Sequence, residues 1–174
     1  MTASLFARIV AVVTVAAIFQ VAVLSSLRLF GGMPDLLLVV LIAVALARGS
    51  VAGAIAGFIG GLLVDVSTLG TLGLVALLLT IAGYWAGRYG ETTGRGRAHA
   101  PVLAVVAITV LFGVGAYGLT FMLGEAVSAP AALLPVLPAV LLNAILAVPV
   151  YAVVRRLVGT GEQVERSREV QLLA

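Results

Sequence analysis

The sequence predicts an all-α membrane protein, a polytopic bundle of about six transmembrane helices, and three observations lead there. Hydrophobic residues make up 63% of the 174 residues and charged ones only 10%, with a mean hydropathy of +1.26. A water-soluble domain carries about a quarter charged residues and under half apolar ones, so a soluble chain of this size would have nowhere to put its apolar surface. The apolar residues also fall into six runs, separated by glycine, proline, arginine or acidic residues. Finally, the arginines gather at alternate ends of those runs, as they do in the cytoplasmic loops of membrane proteins.

In order, the runs are 5–27, 34–47, 51–66, 72–88, 101–124 and 135–158. Spanning the hydrocarbon takes about twenty apolar residues, and the first, fifth and sixth runs supply them outright. The first has a basic start and an apolar core, as a signal peptide does. No small-x-small cleavage site closes it before Ser25, so it reads as a retained helix. The second and third are short and joined by a tight Arg48-Gly49-Ser50 turn. They either span the membrane or form a re-entrant hairpin shielded by the other helices. Tyr84 and Trp85 suit an interface at the end of the fourth run. Residues 1–158 thus read as the bundle, and 159–174 as a polar cytoplasmic tail whose Glu162, Glu165, Arg166, Arg168 and Glu169 are spaced to pair along a short helix.

With the N-terminus in the cytoplasm, Arg8, Arg48, Arg88, Arg95, Arg97, Arg155, Arg156, Arg166 and Arg168 fall inside, and only Arg28 falls outside. Both termini are therefore expected in the cytoplasm. The same topology places Asp35, Asp65 and Glu125 at the outer face, in one layer with Arg28.

Composition also excludes functions. The net charge of +3 comes from scattered arginines without lysine, and no aromatic platforms lie between them, so nucleic acid is not an expected partner. The small basic excess fits loops beside anionic membrane lipids. There is no cysteine, and His99 is the only histidine, so neither thiolate chemistry nor a histidine-based metal site is expected. No cofactor is expected. A catalytic site needs a base, nucleophile or metal cluster in one place, and none is close in sequence.

Four features stand out in the apolar runs. Gly53, Gly57 and Gly61 recur every four residues and Asp65 continues the spacing, with Gly60 beside the stripe and Gly83 and Gly87 repeating it in the fourth run. Small residues on one helix face let a neighbour approach closely, which in lipid replaces the hydrophobic effect as the source of association. Asp65 is expected to be structural. It either caps the turn through Ser67, Thr68, Gly70 and Gly73 into the next helix or pairs with Arg28; the competing role is a ligand or partner contact made by its charge. Gln20 and Asn143 are uncharged polar residues inside apolar runs, suited to hydrogen bonds between helices or to lining a cavity.

The order of these features resembles the rod shape-determining protein MreD family. Pro34 and Asp35 open the second run in "PDLLLVVLIAVALARGS", and the glycine-rich third run ends on an aspartate and a glycine turn in "GAIAGFIGGLLVDVSTLGTLG". The last run, "LLNAILAVPVYAVVRRL", places Asn143, Pro149 and Tyr151 in the familiar order. Many members carry a glycine four residues after the aspartate, where this chain has Leu69. The resemblance implies a non-enzymatic scaffold of the elongasome in the bacterial cytoplasmic membrane, which directs lateral peptidoglycan synthesis and rod shape. It implies an MreC-like partner, with the glycine faces as candidate contacts. MreB, RodA and a class B penicillin-binding protein would be engaged directly or indirectly. It also implies a fold similar to the S components of energy-coupling-factor transporters. The alternative function is such a vitamin-binding S component, for which Ala3, Ala7 and Ala11 give a small-residue stripe on the first helix. A soluble vitamin would need converging polar and aromatic groups, and only 6% of residues are aromatic.

The arginine distribution generates a direct test. Single cysteines at Thr93 and Gly161 should resist an impermeant thiol reagent in intact cells and react after permeabilisation. Labelling of either from outside would reverse the orientation.

Overall fold

The computed structural model describes residues 3–24, 31–69, 71–93, 99–124 and 128–159. Arg28, Gly70, Arg95, Arg97, Glu125 and the tail 160–174 lie outside the described residues, and with them Arg28 as the alternative partner of Asp65 and the choice between paired and solvated charges in the tail. The described residues are predominantly helical: α1 (Ala3–Ala22), α2 (Leu36–Arg48), α3 (Ser50–Thr68), α4 (Leu74–Thr93), α5 (Ala100–Met122), α6 (Ala129–Leu133) and α7 (Val136–Val158). Each of the six apolar runs becomes one helix. α1, α3, α5 and the 129–158 stretch are long and apolar enough to cross a membrane, and α2 is a shorter apolar helix.

α2 is the centre of the bundle. Every residue from Leu37 to Ala47 is buried, and α1, α3, α4, α5 and α7 all pack against it. A helix that is apolar all round is stable only when enclosed, which is why its sequence, LLLVVLIAVALAR, carries no polar stripe. Its 13 residues cover about 20 Å at 1.5 Å per residue, less than the hydrocarbon thickness of about 30 Å. Protein on every side is the condition under which such a short segment is tolerated at membrane depth.

Gly49 alone links α2 to α3. Its φ of 98° and ψ of −179° are open to glycine and strained for other residues, and its N–H donates back to the Ala45 carbonyl at 2.7 Å. Further along, α3 and α4 approach so tightly that they touch backbone to backbone. A Cβ on Gly53 would meet the Gly83 carbonyl, one on Gly57 the Leu79 carbonyl, one on Gly61 the Ala76 backbone and one on Gly87 the Ser50 backbone. These pairings run in opposite chain directions, so the helices are antiparallel. The glycine stripes of the two helices meet along this line.

Two details differ from the sequence expectation. α3 ends on Leu69 in the left-handed conformation, φ 53°, with its side chain 93% exposed. A leucine there gains no packing and bears a steric cost of roughly 1–2 kcal/mol. Ahead of α7 lies the five-residue α6, opened by Pro130 in its first turn and separated from α7 by the Leu134-Pro135 turn. Hydropathy alone cannot separate it from α7, because 129–158 is one continuous apolar stretch.

Two stability measurements follow. Gly57→Ala should lower the thermal midpoint in detergent, by about 1–3 kcal/mol of overpacking. Gly118→Ala, where a Cβ would meet nothing within 4 Å, should leave it unchanged or raise it slightly. Equal effects would mean that α3 and α4 are not in backbone contact. Leu69→Gly should raise the midpoint by relieving the left-handed residue, an effect of about 1 kcal/mol; a lowered midpoint would place Leu69 in an unstrained conformation.

Candidate functional site

A helix that begins inside an apolar bundle leaves its first N–H groups without water, and each must find an acceptor. At the start of α2 three side chains provide them. Asn143 Oδ1 accepts from the Asp35 N–H at 2.8 Å, Gln20 Oε1 accepts from the Leu36 N–H at 2.8 Å, and Asp35 Oδ1 caps the Leu38 N–H at 2.9 Å. Gln20 uses its other end as well, donating from Nε2 to the Pro34 carbonyl at 3.2 Å. Asn143 donates from Nδ2 to Thr109 Oγ1 at 3.2 Å. Residues from α1, α5 and α7 thus converge on one helix start, and Asn143 and Thr109 are 0% and 4% exposed. Pro34 is buried among them. Its lack of an N–H leaves one donor fewer to satisfy.

Beyond this start, α5 and α7 continue past the end of α2, and with α6 they line a partly open cavity of about 450 Å³. Asp35, Thr109 and Asn143 line it together with Leu38, Phe112 and Val136. Only the first half of α5, as far as Thr109, is buried in the bundle; the second half forms cavity wall and outer surface. At the opposite end of α2, the Arg48 guanidinium donates to the Val158 carbonyl. A cation there also suits the negative end of the α7 dipole.

The second polar arrangement holds α3 to α4. Asp65, 2% exposed, lies one turn past Gly61 on the glycine face. Its Oδ2 accepts from the Gly73 and Ala76 N–H groups at 2.9 and 3.1 Å, and Oδ1 from the Val75 N–H at 3.2 Å. It therefore caps α4, and the turn is completed by Gly73 at φ 91°. Glu91 does the reverse. It lies one turn past Gly87, beyond the apolar part of α4, and accepts at Oε1 from the N–H and hydroxyl of Ser50, at 2.8 and 3.0 Å, capping the start of α3. Arg88 pairs with its Oε2 at 3.4 Å. The Ser50 N–H holds the Glu91 carboxyl below the usual carboxylate range, against a smaller opposing effect of burial and with help from the Ser50 hydroxyl and Arg88. Each helix thus carries, near its C-terminal end, the acid that caps the other.

Of the residues singled out in the sequence, Gln20, Pro34, Asp35 and Asn143 come together at the start of α2. Gly53, Gly57, Gly61, Asp65 and Gly73 come together along α3 and α4; Arg28 and Gly70 lie outside the described residues. The sequence offers the glycine stripes two roles, packing between the chain's own helices and contact with a partner, and the geometry shows the first. The glycine faces are occupied by each other, because the two helices approach too closely for any third element, so they are not a free surface for a partner. Thr109, Arg48 and Glu91 were not foreseen. Glu91 had a readable signal, since Gly83, Gly87 and Glu91 repeat the four-residue spacing of Gly57, Gly61 and Asp65. Among the described residues, no group of three or more His, Cys, Asp or Glu side chains could hold a metal ion.

A family model for rod shape-determining protein MreD matches residues 2–160. No curated protein matches the chain, and no solved structure does.

The caps predict graded losses. Asp65→Ala strands the buried Ala76 N–H and the part-buried Gly73 and Val75 N–H groups and should cost about 2 kcal/mol, since an unsatisfied buried group alone costs about 1–3 kcal/mol. Asp65→Asn, which keeps one acceptor, should be milder. Glu91 is more exposed, so Glu91→Gln should cost less than either. Because the Glu91 carboxyl is held below its ordinary value of 4.5, its contribution is complete above that pH and is lost as pH falls through the depressed value. Thermal melts from pH 7 to 3 should show this acid limb in the parent and a reduced one in Glu91→Gln; identical limbs would separate Glu91 from the α3 cap.

Proposed function

The chain belongs to the MreD family of rod shape-determining proteins, and on that premise we propose that it is a non-enzymatic scaffold of the bacterial elongasome. It sits in the cytoplasmic membrane with both termini in the cytoplasm, binds an MreC-like protein, and through it helps direct lateral peptidoglycan synthesis. MreB, RodA and a class B penicillin-binding protein are engaged directly or through MreC. The family match over almost the whole bundle carries this reading. The use of the acids supports it: Asp65 and Glu91 are spent on helix caps, so this polar chemistry holds helices together. The likeness to transporter S components belongs to the same reading and rests on the sequence resemblance.

With the glycine faces filled, partner and lipid contacts fall to the outward faces. α1 offers Phe6, Val15, Ile18 and Phe19, all well exposed. Such faces suit other membrane helices and acyl chains, which need no hydrogen bonding from their neighbours.

In a rod-shaped host with no second copy, depletion should round the cells, and an MreC-like protein should co-purify in mild detergent. Normal rod growth after complete depletion would refute the scaffold role. Rounding without co-purification, also after cross-linking, would refute the MreC contact.

A further inference from the structure

The cavity beyond the start of α2 has walls of one kind and a floor of another. Leu38, Phe112 and Val136 make the walls apolar, while Asp35, Thr109 and Asn143 bring polar atoms to one end. A volume of about 450 Å³ falls within the range of small-molecule sites, roughly 300–1,000 Å³.

The floor is not saturated. Asp35 uses Oδ1 to cap Leu38, and Oδ2 has no partner among the described residues. Thr109 accepts from Asn143, yet its own O–H proton reaches no acceptor among them. Other threonines on these helices donate to the carbonyl one turn back: Thr68 to Val64, Thr80 to Ala76 and Thr120 to Ala116, at 2.8, 2.6 and 3.1 Å. That bond is a common resting place for a hydroxyl in a helix. Thr109, 4% exposed, departs from it where a cavity adjoins. A buried donor left unmade costs about 1–3 kcal/mol, so the Thr109 proton is poised to pair with something in the cavity, and the second oxygen of the partly buried Asp35 stands available as an acceptor.

One spare acceptor and one spare donor lining the same cavity together complement a hydroxyl, which gives one hydrogen and accepts another. A carboxylate or phosphate head would face Asp35 with like charge. An ammonium would satisfy Asp35 but offer nothing to the Thr109 proton. We propose that the cavity binds a hydroxyl-headed apolar molecule, a small alcohol with a hydrocarbon body, whose O–H donates to Asp35 and accepts from Thr109 while its chain lies along Leu38, Phe112 and Val136.

The test uses fluorescence quenching in the full-length protein. Phe112→Trp is introduced with the single native tryptophan removed as Trp85→Phe, and brominated eight-carbon probes are titrated in detergent. The brominated alcohol should quench saturably at a concentration about fivefold lower than the bromoalkane, the advantage expected of one net hydrogen bond. The bromocarboxylate should be weaker than both. Asp35→Asn keeps a helix-capping residue and should abolish the advantage of the alcohol, as should Thr109→Val. Thr109→Ser should keep it. Melting curves identify any variant that has lost its fold, and the remaining variants then decide. Equal quenching by alcohol and alkane would reduce the site to apolar partitioning and overturn the proposal. A bromoamine that outcompetes the alcohol would make it a cation site and overturn it as well. An advantage for the alcohol that appears only in Arg28→Gln would show the chain's own arginine in the cavity, and the proposal would fall with it.

Discussion

A peptide N–H inside an apolar bundle has no water to fall back on, and α2 begins in such a place. The rest of the fold is arranged around that constraint. Gln20, Asn143 and Asp35 take three donors of the first turn, and because they come from three places in the chain, the same bonds tie α1 and α7 to the central helix. Thr109 adds α5 through Asn143. Each bond alone contributes about 1 kcal/mol, but losing an acceptor costs more, because the stranded donor stays buried. Four helices are therefore positioned by one requirement for pairing.

Dispersion does the remaining work. In lipid, apolar side chains gain nothing from leaving water, so helices hold together where their backbones fit closely. The α3–α4 pair takes this to its limit, with glycine against backbone at four successive levels and a carboxylate closing each end. A scaffold benefits from such rigidity. Partners that must assemble in a fixed geometry need a platform whose helices do not rearrange, and the outward faces inherit their positions from these internal contacts.

The six helices were legible because each is written as an uninterrupted apolar run with its own punctuation, and the Arg48-Gly49-Ser50 turn was legible from the glycine that only its geometry requires. The glycine stripes were also plain, but not which stripe faced which: packing between neighbouring helices and packing on a partner protein require the same residues. The partners of Gln20 and Asn143 were hidden for a different reason. The Asp35–Asn143 bond joins residues 108 apart in sequence, and spacing carries no information at that distance. Thr109 could not be picked out because a threonine in an apolar helix commonly bonds to its own backbone, so its sequence context is silent about the exception. α6 is invisible to hydropathy, being apolar residues beside apolar residues.

A stripe of glycines repeated every four residues has an ambiguity built into it. Sliding α4 along α3 by four residues in one direction would bring Gly87 against Gly53 and Gly83 against Gly57, so glycine contacts by themselves discriminate only weakly against that shifted alignment. The two acids remove that degeneracy. A shift of one turn, about 5.4 Å, would draw Asp65 and Glu91 away from their N–H groups at the same moment, at opposite ends of the hairpin. Misalignment is then penalised twice while the correct alignment is rewarded twice, and the short connection of residues 69–73 permits little slack in between. The carboxylates thus act like the end stops of a slide rule, converting a surface that fits in several positions into one that comes to rest in a single place.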